Sequence, residues 1–198
     1  MNMRFVALGF MLAASLAWAQ EYPKPAKARA AERTAMLETL QKGKQITGSR
    51  GQYRHLPEVS AVAHGANETP EEAIARTGAG GDQIIETKGR FVLFRSAQQK
   101  PASVGRVAGG TVYPTVVNTR TGTLGVMTGT LIVKPKSMAD AAAIANSYGL
   151  EKGREYPHLQ TVFYRAGGDI ADAAAALQAD PRVESAYPEI IEHVRTPK

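Results

Sequence analysis

The chain of 198 residues has no cysteine. No disulfide can brace it and no thiolate can hold a metal, so its core must be kept by burial alone even in an oxidising compartment. Histidine is scarce. His55, His64, His158 and His193 are scattered, and none stands at a ligating spacing such as His-x-x-x-His. The strand–Gly-x-Ser-x-Gly signature of a nucleophile elbow is missing. The glycines from Gly78 to Gly81 have no Lys-Ser/Thr after them and no strand directly before them, so they do not make a phosphate loop. These absences point away from catalysis and from any cofactor or metal, and toward a protein that works by binding.

Long apolar runs are also few, and the clearest is at the start. Met-Asn-Met-Arg is followed by an uncharged stretch from Phe5 to Ala17 and then by Leu16-Ala17-Trp18-Ala19. A basic start, an apolar core and small residues at −3 and −1 predict a signal peptide over residues 1–19, cleaved after Ala19. The run is too short to span a bilayer, which needs about 20 apolar residues. The expected location is periplasmic or secreted, with no membrane span after cleavage.

Positive charge is in excess, at +6 for the whole chain. Between Glu21 and Arg54 eight basic residues stand against three acidic ones. Such a balance raises nucleic acid as a partner, but export argues against it. The bland reading is a solvated basic arm; the functional one is contact with an acidic surface or an anionic partner.

Residues 20–82 read as a flexible, basic, partly helical segment. Ala31 to Gln41 has helical spacing, and Thr69-Pro70-Glu71-Glu72 is a helix start with Thr as N-cap and Pro at the first position. Residues 83–128 read as a small antiparallel β-rich region, with Asn118 to Gly122 as a hairpin turn.

The last third is more explicit. Thr130–Lys134, a stretch within Glu151–Tyr156, Thr161–Arg165 and Val183–Tyr187 read as strands. Between them lie a helix capped by Ser137 and stopped by Gly149, and a helix capped by Asp169 with Ala173, Ala176 and Leu177 inward. This order predicts an α+β, ferredoxin-like βαββαβ sandwich over 129–188, both helices on one face. Such a sheet should alternate apolar and polar, yet Leu131-Ile132-Val133 and Val162-Phe163-Tyr164 are apolar without a break. The helix-free face should therefore be covered, either by residues 83–128 or by a partner docking on Ile132, Phe163 and Tyr164.

Gly129 to Lys134, Tyr148-Gly-Leu150, Tyr156-Pro-His-Leu159, Val162 to Arg165 and Ala179 to Pro188 together resemble the propeptides of subtilisin-like serine proteases. The most specific piece is Asp-Pro-x-Val-Glu-x-Ala-x-Pro from Asp180 to Pro188. With its own leader and no protease after it, the chain is similar to stand-alone external chaperones of kexin-like secreted proteases of the subtilisin family. The resemblance implies a heterodimer with such a protease, docking by the open sheet face, help in folding, and inhibition by a C-terminal tail. The tail is expected to be extended over 189–198, with Arg195, Thr196, Pro197 and Lys198 in the cleft as an Arg-x-x-Lys element suited to acidic subsites. The alternative is a periplasmic or envelope binding protein that reuses the fold, its basic segment engaging anionic surfaces.

Overall fold

Runs of Val, Ile, Thr, Phe and Tyr, punctuated by Gly, Pro and Asn, give this chain its strands. A computed structural model describes residues 43–193 apart from Ala97, Gln99 and Pro101. The expected signal peptide and the helix over 31–41 lie outside the described residues. The strands are β1 (Gln45–Gly48), β2 (Gly51–Ala63), β3 (Ile84–Lys88), β4 (Phe91–Arg95), β5 (Gly105–Val107), β6 (Gly110–Asn118), β7 (Leu124–Pro135), β8 (Glu151–Tyr156), β9 (Thr161–Arg165) and β10 (Val183–Ile191). The α-helices are α1 (Pro70–Ala75), α2 (Ala141–Tyr148) and α3 (Ile170–Gln178). The fold is α+β, with every strand pairing among the described residues antiparallel.

One sheet runs β3-β4-β2-β6-β7-β9-β8, with β1 on β2, β5 on β6 and β10 on β7. β7 is its spine. Its first half pairs with β6 (Val126↔Thr115 to Leu124↔Val117) and its second half with β9 (Thr130↔Arg165 to Val133↔Val162). β10 runs along both halves. Gly129, with φ +87°, sits where the partner changes. The junction expected between 128 and 129 thus falls inside one strand.

Two further expectations are corrected. Residues 51–63, placed in a flexible segment, form the longest strand, and Leu56, Val59, Ala61 and Val62 on it are all buried. The sequence disguises it with Arg54, His55, Pro57, Glu58 and Ser60. Pro57 is tolerated because the β2–β6 register shifts between His55 and Ser60, and the Pro57 carbonyl accepts from the Lys100 amide at 2.8 Å. The tail expected from 189 does not leave the sheet there: after a bulge at Pro188, Ile190 and Ile191 pair with Met127 and Val126.

The upstream strands pair edge to edge with β7 rather than stacking on the later ones. They also curl, since β3, outermost in the path, sends Lys88 Nζ to the Glu192 carbonyl beyond β10 at 3.1 Å. Their concave side buries Leu56, Phe91, Leu93, Val117, Leu124 and Val126. α1 starts as its sequence predicts: Thr69 accepts from the Glu72 amide, the Glu72 side chain accepts from the Thr69 amide, and Pro70 needs no N–H partner.

In the last third the strands lie in the order β10, β7, β9, β8. Leu131, Val133, Val162, Tyr164, Val183 and Ala186 form one core with Ala141, Ile144 and Ala145 of α2 and Ile170, Ala171, Ala174 and Leu177 of α3. Each large aliphatic buried this way contributes about 1.5–3 kcal/mol. α3 is rotated from its expected stripe, for Ala174 is buried and Ala176 exposed. Gly149 ends α2 in the left-handed conformation, at φ +60°.

Candidate functional site

Period-two alternation sorts the central strands of the last third into two faces. Leu131, Val133, Val162 and Tyr164 point to the helices and are fully buried. Ile132 and Phe163 point to the other side, where each is half-buried and belongs to no core cluster. Tyr164 therefore has to be removed from the expected docking face. Its ring is sealed under α2, its hydroxyl donates to the Ala141 carbonyl at 2.9 Å, and burial pushes its pKa up to about 12.

Registration assembles a row on the helix-free face. Tyr187 of β10 stands opposite Ile132 of β7, and Ile132 opposite Phe163 of β9. Tyr156 at the end of β8 meets Phe163 edge to face, with ring centroids 5.6 Å apart, and touches His158 in the next turn. The Phe163 carbonyl lies so close to Gly153 that a Cβ there would come within 2.9 Å of it, which is why β8 can pass tightly. Leu159, in the turn between β8 and β9, is 58% exposed, the largest value among large apolar residues described. Lys134, paired with Glu184 at 2.7 Å, stands two residues from Ile132 on the same face and borders the row with charge. An apolar, aromatic-bearing row with charge at its border is the make-up of a protein-binding patch. Sequence reasoning missed Tyr156, which ends an otherwise polar or glycine strand, and Tyr187, which stands between Ser-Ala and Pro-Glu with no apolar alternation around it. Their shared face appears once the register is known.

The Asp-Pro motif has a structural job here. The Asp180 carboxylate, nearly buried, accepts from the Arg182 amide at 2.8 Å, from Arg182 Nε at 3.0 Å and Nη2 at 2.6 Å, and from the Tyr148 hydroxyl at 3.0 Å. The Arg182 side chain first, and then its amide, hold the Asp180 carboxyl far below the usual carboxylate range. This knot locks the α3–β10 corner against α2 and so sets where β10 begins.

Arg195, Thr196, Pro197 and Lys198 lie outside the described residues. Among the described residues no three His, Asp or Glu side chains gather as a metal site, and no helix is long and apolar enough to cross a membrane. His55 is buried with its Nε2 unpartnered, and burial lowers its pKa.

Among solved structures, the chain resembles one in the crystal structure of the Aeromonas sobria serine protease (ASP) and the chaperone (ORF2) complex. The two are 23% identical, the match covers 48% of this chain and 100% of that one, and the TM-score is 0.36. No curated protein matches. The family model described as the open reading frame 2 N-terminal domain matches residues 70–197, from α1 through β10. The chain belongs to the family of the open reading frame 2 N-terminal domain.

Proposed function

We propose that this chain is an exported chaperone and inhibitor of a subtilisin/kexin-like serine protease. The observation that carries the reading is the half-exposed row Tyr187–Ile132–Phe163 on the helix-free face, which joins no core cluster of the described residues. Family membership supports it, since the ORF2 of the Aeromonas complex is named there as the chaperone of a serine protease. The strand order β10, β7, β9, β8 with both helices on one face supports the ferredoxin-like, propeptide-type reading of the last third.

A chaperone of this kind acts by differential binding. It recognises the near-native client better than the unfolded one, and at 100 times its Kd such a partner stabilises the client by about 2.7 kcal/mol. The docking row supplies apolar contact, while Arg195 to Lys198 add an extended strand to the client's substrate-binding edge and block the cleft. Export through a signal peptide cleaved after Ala19 would bring it to the compartment where such a protease folds.

The test is refolding of a denatured subtilisin-like protease that lacks its own propeptide, sought in the neighbouring gene. Wild-type chain should raise the yield of folded protease and inhibit it. Ile132→Asp with Phe163→Asp should weaken binding by about thirtyfold or more, the effect of losing a hot spot. Deleting residues 195–198 should abolish inhibition but keep most of the binding. Unchanged affinity in the double variant would remove the docking row, and unchanged inhibition after truncation would remove the tail.

A further inference from the structure

The stretch after Pro188 stays in the sheet and ends in an unusual way. Ile190 and Ile191 pair with β7, and Glu192, the next residue, is only 6% exposed. A buried carboxylate is costly unless its oxygens accept hydrogen bonds. Here Asn118 Nδ2, at the end of β6, donates to Glu192 Oε1 at 3.0 Å. The Tyr53 hydroxyl of β2 faces the same carboxylate; its pKa is raised first by burial and next by that negative charge. Lys88 Nζ of β3 reaches the Glu192 carbonyl at 3.1 Å.

Three strands from the upstream region thus converge on one residue at the end of β10. Gly125 makes the seat possible, because a Cβ there would come within 2.6 Å of Ile190 Cγ2. A simple strand end needs none of this. Removing one partner of a buried charge is strongly destabilising, so departures from this arrangement carry a cost.

We propose that Tyr53, Lys88 and Asn118 are positioning residues that clamp Glu192 and so fix the point and direction from which the last residues of the chain reach a protease cleft. The proposal rests on the cleft-blocking reading above. In it the upstream strands serve to hold the root of the tail. A tail leaving from a fixed root has a higher effective concentration at the cleft than one swinging from a frayed strand end.

The experiment uses the full chain and two readouts. Amide exchange of Ile190, Ile191 and Glu192 is compared with that of Leu131 and Val133, and inhibition of the client protease is measured in parallel. Glu192→Ala should speed exchange at the three root amides by about tenfold or more, the order expected for losing hydrogen bonds to a charged group, and leave the two reference amides unchanged. Inhibition should weaken by a similar factor. Glu192→Gln, which still accepts from Asn118, should recover part of both. If Glu192→Ala does not fold, Lys88→Met provides the same comparison with a smaller expected change. Unaltered root exchange overturns the clamp, and faster exchange with full inhibition overturns its positioning role. Failure of the tail reading itself shows differently: deleting residues 194–198 then leaves inhibition intact while the root still responds to Glu192→Ala, which keeps the clamp and removes its client.

Discussion

Asp180 shows how much one carboxylate can organise. It gathers two donors of the Arg182 side chain, a backbone amide and the Tyr148 hydroxyl, so its folded pKa lies below that of an unfolded aspartate. A group with a depressed folded pKa contributes stability that is fully present above the unfolded value, about 3.9, and is lost as pH falls toward the folded one. Asp180→Asn should therefore lower Tm at pH 7, and its deficit against the wild type should shrink as pH drops below about 4. A deficit that stays constant with pH would mean the ionised form contributes nothing. At the same scale, Phe163 and Tyr164 are neighbours in sequence with opposite fates. Both are aromatic, and composition cannot say which faces the helices; only the facing direction of β9 does.

β7 is the element on which the fold turns. It serves β6 with one half and β9 with the other, and Gly129 at the change has φ +87°, a region that favours glycine. A Cβ there would also come within 2.7 Å of Val104 Cγ2. Gly129→Ala is expected to cost about 2 kcal/mol, within the usual range for a non-glycine residue held in a strained conformation. Urea unfolding should show this as a lower midpoint with an unchanged slope. A midpoint equal to the wild type would mean that β7 does not need a glycine there. The helices were easier to read than this strand, because Thr69, Asp169 and Gly149 announce their ends through local hydrogen bonds and backbone conformation. β2 lacked such signals. Its strand character comes from pairing on both edges, with β4 and with β6, and pairing between distant segments leaves no local pattern.

Over the whole molecule, the upstream and downstream strands share β7, β10 and a core. Ile46, Tyr53 and Val116 lie in the same cluster as Ile144 and Leu177. Lys44, just before β1, bridges Asp169 at 3.2 Å and Asp172 at 2.6 Å at the start of α3. Such shared elements predict a single cooperative transition, with calorimetric and van't Hoff enthalpies equal, rather than separate melting of a β-rich region and a propeptide-like unit. Two resolved transitions would contradict this. Among the described residues, Ile132 and Phe163 on the helix-free face of the last third stay outside every core cluster. The upstream strands build their own core on the first half of β7, where Leu124 and Val126 meet Leu56, Phe91 and Leu93, and that core does not take in Ile132 or Phe163.

The order of elements in the last third, the caps of its helices and the apolar character of its central strands are legible in the amino-acid sequence alone. These depend on contacts within a few residues, where side-chain chemistry and backbone preference act locally. The outward facing of Ile132 and Phe163 against the inward facing of Tyr164, the central place of β2, and the contacts of Tyr53, Lys88 and Asn118 with Glu192 come from the folded chain. Each depends on register between segments far apart in the chain, and a shift of one residue would reverse every facing.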